Sequence, residues 1–372
     1  MNQHTPMPPR SSGRAGTRSS KSTKKSTMKR RIRWGRVIVI LVSLVIISLA
    51  SYAGYLYMVG KNNLHKIADQ DPTATPIPKD QKANVKPISM LLLGLDYRKS
   101  LGTMNTDVMM VATFNPKTKT ATVVSIPRDS DLKMEGYKRH KANAWYAIYD
   151  SIARNDEGLE GEAAKDYARD NTREMLGKFF GIDIDYTAVI DFQGFIDVVD
   201  ALDGVKVNVD KDMRYVDTVD KTNIDLVAGE QVLDGEEALG FVRYRKSNRG
   251  TAPSSDFERN ERQSQVLGAI IDKLKSFGSI TKIDDVLNAV GDNMRTDIPE
   301  SQLEAMIKKY FGIDSSAIRF IPLEGEWISP YVVLDQGKLA EAKQALREEL
   351  SPEGRPVATP ESSPSTEPPS GN

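Results

Sequence analysis

The sequence contains no cysteine, and this absence excludes two kinds of structure at once. Without thiols the chain has neither a disulfide framework nor a thiolate metal site, so its fold must depend on an apolar core. Histidine is also scarce, with three in 372 residues, and His65 and His140 are too isolated to indicate a metal site. A Gly-rich phosphate loop, a recognisable Ser-His-Asp arrangement and a His-x-x-His pair are missing as well.

Acidic residues are absent from positions 1–36, which carry eleven Lys or Arg among many Ser, Thr and Pro. This composition predicts a disordered tail. Residues 37–59 follow without a charge and are long enough to cross a bilayer as a helix. A cleaved signal peptide is the alternative, although its apolar part normally has about 7–15 residues. The basic cluster places the tail in the cytoplasm, so we expect a single-pass cell-membrane protein whose remaining chain is extracellular.

The equal totals of 51 basic and 51 acidic residues conceal an uneven distribution. Beyond position 36 there are 40 basic and 51 acidic residues, a balance that argues against nucleic-acid binding by the external part. Residues 60–87 are predicted to be an extended linker because prolines and small polar residues accumulate there. Residues 88–350 suffice for one large domain. Residues 351–372 predict a Pro/Ser-rich disordered tail.

Three apolar, β-prone runs dominate the start of the domain, at residues 88–95, 108–114 and 120–126. The last two flank Asn-Pro-Lys-Thr-Lys, a turn-forming composition, and are predicted to pair as an antiparallel hairpin. Their apolar residues are consecutive rather than alternating, which indicates a sheet covered on both faces.

Charged residues stand at the ends of these runs. A strand that starts just after Asp107 and returns through one turn brings Arg128 back to the edge near Asp107. If the first run also pairs here, Asp96 reaches the same edge, because only residues 97–106 separate the two aspartates. Two carboxylates and an arginine are therefore predicted to converge where α/β proteins commonly bind ligands.

Helical and strand patterns alternate along the rest of the domain. Helices are predicted over residues 141–149, 163–180, 192–202, 234–240, 258–277, 299–310 and 336–350. Strands are predicted over residues 186–190, 205–209, 318–321 and 331–334. The alternation predicts an α/β domain with a mixed, largely antiparallel central sheet, covered by helices on both faces and preceded by one transmembrane helix.

A second group of polar residues lies between positions 241 and 265. Arg243 and Arg245 are two apart, so on an extended chain their guanidinium groups point the same way. Arg259, Arg262 and Gln263 have the spacing i, i+3 and i+4 and are predicted to share one helix face. Guanidinium groups bind phosphate oxygens bidentately, so a convergent set of this kind suits a pyrophosphate.

Structural roles are the alternative for each of these residues. Arginines on a helix face are often solvated or paired with nearby acids, and Glu258 and Glu261 are available partners. Arg128 and Asp129 could form an ion pair within a loop, and Asp107 could be a turn residue.

The motifs that carry these residues resemble those of a known family. GLD, NTDVMM and SIPRD, which contain Asp96, Asp107 and Arg128, are similar to signatures of the LytR-CpsA-Psr family over about residues 88–350. The arginine pair followed by SDFERNERQ is similar to the family's D-x-x-R-x-x-R-Q helix start. KANAWYA resembles its K-x-N-A-x-Y element and adds Lys141 and Asn143.

This resemblance implies a function. The family moves anionic glycopolymers from a polyprenyl pyrophosphate carrier to the bacterial cell wall, which implies a membrane-anchored extracellular phosphotransferase acting on teichoic acid, capsule or a similar polymer. Peptidoglycan is the implied acceptor. Asp96, Asp107 and Arg128 are the implied catalytic residues, and both aspartates are implied ligands of Mg²⁺ or Mn²⁺. The implied pyrophosphate ligands are Arg128, Arg243, Arg245, Arg259, Arg262, Gln263, Lys141 and Asn143.

Two departures from the family pattern bear on the substrate. Asn105 stands where family members commonly have Arg, so one cation near the site is missing. The segment between Arg245 and Asp256 is longer than usual and contains Arg249, a possible replacement charge.

Two other functions stay open at this point. A polyprenyl pyrophosphate hydrolase would use the same metal and arginines with water as the nucleophile. A membrane-bound regulator would bind polymer or lipid without needing the paired aspartates. For a lipid substrate we also expect an apolar groove beside the charged edge, with residues 192–202 and 266–274 as candidate walls.

Overall fold

The computed structural model describes residues 77–98, 103–218, 222–276 and 294–356. The predicted cytoplasmic tail, the predicted transmembrane helix at residues 37–59 and most of the predicted linker lie outside these ranges, as does the end of the C-terminal tail. Within the described ranges, no helix combines the length and the apolar character needed to cross a bilayer.

The described chain folds into twelve strands and seven α-helices. The strands are β1 Ile88–Arg98, β2 Thr103–Asn115, β3 Thr120–Ser125, β4 Tyr186–Asp191, β5 Val205–Val209, β6 Met213–Asp217, β7 Thr222–Leu226, β8 Gly229–Leu233, β9 Met294–Thr296, β10 Ile318–Pro322, β11 Gly325–Ile328 and β12 Tyr331–Leu334. The helices are α1 Trp145–Asn155, α2 Gly161–Phe180, α3 Phe192–Ala201, α4 Gly235–Arg243, α5 Asp256–Ser276, α6 Glu300–Tyr310 and α7 Gln336–Leu350.

A six-stranded mixed sheet lies at the centre, in the order β10-β3-β2-β1-β4-β9. Strands β1, β2 and β3 pair antiparallel, as do β4 and β9, whereas β1 pairs with β4 and β3 with β10 in parallel. The predicted hairpin of β2 and β3 and the predicted mixed sheet are therefore confirmed. The sequence patterns did not predict β6, β7, β8, β9 or β11, which are short or largely polar.

Helices cover both faces of this sheet. Leu91 and Val111 belong to a core cluster that also includes residues of α1, α2 and α7. The neighbouring positions Met90 and Met110 point to the opposite face, where α6 and α5 respectively contribute to the clusters. The consecutive apolar residues thus serve two cores, which is why the strands lack polar alternation.

A separate core joins α3, α4 and α5 to the two-stranded ladders β5–β8 and β6–β7. Phe241 and Tyr244 are fully buried in it at the end of α4, and Val266 of α5 packs with them. This second core holds in place the two helices that carry the predicted arginine groups.

The described parts of the predicted linker and C-terminal tail are attached to the domain. The backbone N–H of Ala83 donates to the side-chain oxygen of Gln302 on α6 at 2.9 Å. Arg355 lies 3.2 Å from the buried carboxylate of Glu349 and donates to the carbonyl of Ala317 at 2.7 Å. These contacts join Ala83 and Arg355, which lie outside residues 88–350, to the domain.

A β-bulge interrupts the pairing of β1 and β2 beside the predicted site. Gly94 pairs with Val108 and Leu95 with Thr106, so Asp107 is the additional residue on β2. The prediction that a strand begins after Asp107 is therefore wrong, because Asp107 lies inside a longer strand. A Cβ atom at Gly94 would lie 2.9 Å from the Cβ of Val108, so the two strands approach each other only because this residue is glycine.

We predict that Gly94→Ala destabilises the domain by about 1–3 kcal/mol, because the new methyl group overpacks a covered part of the sheet. Gly268→Ala is the matched control: its nearest atoms would be 3.9 Å away, and alanine in a helix is favoured over glycine by roughly 0.5–1 kcal/mol. Chemical denaturation of both variants measures the difference. Equal midpoints would show that the strands at the bulge can separate at no cost.

Candidate active site

An apolar cavity of about 620 Å³ lies between the central sheet and helices α3, α4 and α5. Its apolar lining from the helices includes Phe192, Phe195 and Val198 of α3, Leu239 and Val242 of α4, and Val266, Leu267, Ile270 and Leu274 of α5. The predicted groove beside Arg128 is therefore present, and both predicted walls contribute to it.

One end of this cavity is charged. Seven of the ten residues predicted from sequence line it: Asp96, Asp107, Arg128, Arg243, Arg245, Arg259 and Gln263. Lys141, Asn143 and Arg262 do not. The cavity thus joins an apolar volume to a polar end.

The two aspartates are brought together by arginines. The Nη1 of Arg128 donates a hydrogen bond to the Oδ1 of Asp107 at 2.5 Å. Arg243 approaches the other oxygen of Asp107 at 3.9 Å and Asp96 at 3.6 Å. Asp96 and Asp107 therefore lie within 4 Å of one guanidinium group, as the convergence of strand ends predicted.

Arg243 reaches this position from the last turn of α4, a helix whose first turn has a capping box between Asp234 and Glu237. The Arg243 guanidinium lies 4.3 Å from the centre of the Phe192 ring. The prediction of an extended chain at Arg243 is wrong, because α4 continues to this residue. Arg245, two residues after the helix end, is exposed and lines the same cavity.

Arg259 is the most deeply buried cation of the cavity, with 5% of its surface exposed. Burial, followed by the charges of Arg128 and Arg245, lowers the pKa of Arg259 to about 10. It forms an ion pair with Asp256 at the start of α5, but its Nε–H has no hydrogen-bond partner in the described chain. The Nε–H of Arg128 is buried without a hydrogen-bond partner in the same way. Arg259 and Arg128 are therefore close, like-charged groups beside the cavity, and an anion bound there would offset their mutual repulsion.

Arg262 lies outside the cavity lining, although it is only three residues from Arg259. Its guanidinium contacts both carboxylate oxygens of Asp210, at 2.6 and 2.8 Å, and donates to Ser254 and to the carbonyl of Tyr244. The prediction of one shared helix face holds for Arg259 and Gln263 and is wrong for Arg262. Arg262 instead links α5 to Asp210, which follows β5, and to Tyr244 and Ser254, which follow α4.

Lys141 and Asn143 contact the loop of Arg128 rather than the cavity. The Lys141 ammonium lies 3.1 Å from Asp129, whose carboxylate is 3.8 Å from the Nε of Arg128. The backbone N–H of Asn143 donates to the carbonyl of Arg128 at 3.0 Å. Both residues therefore support the position of Arg128.

Three further residues complete the comparison with the sequence predictions. Asn105 lines the cavity and pairs with Asp96 across the strands, whereas Arg249 is exposed and does not contribute to the lining. Asp210 was missed, since 52 positions separate it from Arg262 and no motif connects them.

Asp96 and Asp107 offer carboxylate oxygens to a divalent cation. No group of three or more His, Cys, Asp or Glu suited to a metal is present among residues 77–98, 103–218, 222–276 and 294–356. Two carboxylates beside a cavity nevertheless fit Mg²⁺, which binds one or two carboxylates together with phosphate oxygens and water. Asp96 and Asp107 are the pair that meets this requirement.

Comparison with known proteins gives consistent matches over this domain. The model of the LytR_cpsA_psr family matches residues 52–348. The polyisoprenyl-teichoic acid–peptidoglycan teichoic acid transferase TagT of Bacillus subtilis (strain 168) is 32% identical over 348 residues, which cover 90% of this chain and 98% of that protein. TagU of Bacillus mycoides (strain KBAB4), with the same transferase name, is 32% identical over 275 residues, or 73% of this chain and 81% of TagU.

Solved structures agree with these matches. The crystal structure of B. subtilis TagV has a TM-score of 0.55 and 31% identity, covering 73% of this chain and 99% of TagV. The structure of TagT bound to LI-WTA has a TM-score of 0.55 and 29% identity, covering 75% of this chain and 95% of TagT.

Substitution of the two buried arginines of α5 is expected to change stability by different amounts. We expect Arg262→Met to lower the free energy of unfolding by about 1.5–3 kcal/mol, because it breaks charge-assisted hydrogen bonds. Arg259→Met is expected to lower it less, because the loss of the ion pair with Asp256 is partly offset by removing a desolvated cation next to Arg128 and Arg245. Urea denaturation measures both variants. A larger loss for Arg259→Met would contradict this division of roles.

Proposed function

The chain belongs to the LytR-CpsA-Psr family of transferases, and we propose that it attaches an anionic glycopolymer of the teichoic acid class to peptidoglycan, taking it from a polyprenyl pyrophosphate carrier. The observation that carries this proposal is the continuity of the apolar cavity with the arginine and aspartate cluster. The proposed donor has the same arrangement, because it joins a long apolar chain to a charged pyrophosphate. The names of TagT and TagU, which cover most of this chain, support the same reaction.

The apolar part of the cavity is proposed to hold the start of the polyprenyl chain. The apolar side chains of Phe195, Ile270 and Leu274 line this part. Removing apolar surface from water contributes about 25 cal/mol per Å², so each prenyl unit that enters adds to affinity without any specific polar contact.

The charged end is proposed to hold the pyrophosphate. Arg128, Arg243, Arg245 and Arg259 line this end, and two of them have buried Nε–H groups without a hydrogen-bond partner in the described chain. Guanidinium groups stabilise charge that develops on phosphoryl oxygens, which is the main requirement of phosphoryl transfer. Arg262 is left out of this set because its donors are already used by Asp210, Ser254 and Tyr244.

Asp96 and Asp107 are the residues proposed to hold Mg²⁺ or Mn²⁺. When bound, the cation would neutralise part of the pyrophosphate charge. Arg243 lies within 4 Å of both carboxylates, so the two side chains are gathered at one point.

In the proposed step, a hydroxyl oxygen of the acceptor forms a bond to the phosphorus that carries the polymer. The bond from that phosphorus to the bridging oxygen breaks, and polyprenyl monophosphate leaves. The hydroxyl proton passes to a carboxylate at the charged end, for which Asp96 and Asp107 are the candidates. The arginines keep the phosphoryl group oriented during the displacement.

We predict that Asp96→Ala and Asp107→Ala abolish transfer while the domain still unfolds cooperatively. The assay combines the full-length protein in nanodiscs, a polyprenyl pyrophosphate-linked glycan, a peptidoglycan oligosaccharide and Mg²⁺, with products identified by mass spectrometry. Chelation is expected to stop the wild-type reaction. Asp225→Ala is the matched control, because this exposed aspartate pairs with Arg214 at 3.2 Å outside the cavity lining.

The products separate transfer from its alternatives. Glycan-linked acceptor supports the proposed transferase, whereas free polymer phosphate with acceptor present would indicate a hydrolase. Transfer that survives either substitution or the chelator would contradict the metal assignment.

We further propose that the N-terminus is cytoplasmic and that the chain from residue 61 onward is outside the cell, anchored by residues 37–59. The proposal rests on the charge distribution around this uncharged segment. Protease added to intact, wall-stripped cells is predicted to degrade the domain, with a cytoplasmic protein as the protected control. A fully protected domain would overturn this topology.

A further inference from the structure

An exposed tryptophan stands next to the loop that carries Arg128. Trp327 lies on β11 and is 50% exposed, whereas most large apolar side chains of the described residues are buried. Tryptophan is enriched at binding surfaces because its ring offers a large apolar face, so an exposed one beside a charged site is a candidate ligand contact. Trp327 does not line the apolar cavity, so the proposed lipid does not account for its exposure.

The hairpin of β11 and β12 is bound directly to the Arg128 loop. The backbone N–H of Val332 donates to the carbonyl of Asp129, and the N–H of Asp131 donates to the carbonyl of Val332, both at 2.9 Å. Trp327 pairs with Val332 across the hairpin. The position of the indole is therefore fixed relative to the residue that follows Arg128.

A short series of contacts connects the indole to the cavity. The Lys141 ammonium lies over the Trp327 ring, 5.4 Å from its centre, and 3.1 Å from Asp129. Asp129 is 3.8 Å from Arg128, which contacts Asp107 inside the cavity. No step in this series exceeds 5.4 Å, so a ligand on Trp327 lies within a few sugar rings of the proposed phosphates.

We propose that Trp327 is a stacking platform for the acceptor glycan, with Lys141 positioning the indole. This inference rests on the proposed function and assigns its acceptor site. An indole presents a large, rigid apolar face, and the C–H face of a pyranose ring is its apolar counterpart. Lys141 approaches one side of the ring, while half of the side chain is accessible to a ligand.

The acceptor fits this place better than the donor. The lipid and pyrophosphate of the donor occupy the cavity, whose lining includes neither Trp327 nor Lys141. In phosphoryl transfer the attacking and leaving oxygens are roughly in line with phosphorus, so the acceptor arrives from the side away from the leaving lipid phosphate. The platform is reached from Arg128 through Asp129 and Lys141, neither of which lines the cavity.

The test compares Trp327→Ala with Trp327→Phe and wild type in the nanodisc transfer assay. We expect Trp327→Ala to raise the KM for a peptidoglycan oligosaccharide about tenfold, the size of a lost aromatic stacking contact. The KM for the lipid-linked donor and the melting temperature are expected to stay unchanged. Trp327→Phe should restore most of the affinity for the acceptor.

Phe311→Ala is the matched control. Phe311 is 49% exposed and follows α6, which packs on the opposite face of the sheet from the core that contains Val332. Its removal is expected to leave the acceptor KM unchanged. An equal rise in both alanine variants would indicate a general effect of surface changes and would overturn the platform.

A direct binding measurement separates this inference from the proposed function. Saturation-transfer NMR with the same oligosaccharide, without donor, is expected to show contact with wild type and none with Trp327→Ala. Binding that depends on Trp327 without any transfer would overturn the proposed reaction and leave the glycan site standing. Equal signals from both proteins, no signal from wild type, or a change confined to the donor KM would overturn the site.

Discussion

The carboxylate of Asp107 connects the two halves of this domain, and the geometry of the site depends on it. One of its oxygens contacts Arg128, which follows the third strand of the central sheet, and the other faces Arg243, which ends a helix of the second core. Asp107 can reach both because it is the additional residue of a β-bulge opposite Gly94. The same arrangement brings Asp96 within reach of Arg243.

The two buried arginines of α5 differ in role: Arg259 lines the cavity, whereas Arg262 forms structural contacts outside it. Arg262 and Arg259 are both buried and are three residues apart, but Asp210 compensates the first with two hydrogen bonds. Arg259 keeps a pKa of about 10 because burial and neighbouring arginines oppose its charge. Asp256 pairs with Arg259, and the proposed pyrophosphate would add further negative charge beside the arginines that oppose the charge of Arg259.

Much of the fold could be predicted from local patterns. Consecutive apolar residues in the first three strands correctly predicted a sheet covered on both faces, and Asn-Pro-Lys-Thr-Lys correctly predicted the hairpin. The convergence of Asp96, Asp107 and Arg128 also followed, because a hairpin returns the chain to the edge where it began. The missed strands are short or polar on much of their surface, so their apolar pattern is weak. The prediction of an extended chain at Arg243 was wrong. The spacing of two residues between Arg243 and Arg245 does not reveal that α4 continues to Arg243.

The sequence by itself determined that the first three apolar runs form strands, that Arg259 and Gln263 share a helix, and which motifs carry the aspartates. Tertiary structure alone decided which arginines face the cavity, since Asp210 draws Arg262 away across 52 positions. It also decided that Lys141 lies between Asp129 and Trp327 rather than in the cavity. Local spacing shows which side chains can share a face, but ion pairs and packing between distant segments select their partners, and no local pattern records that choice.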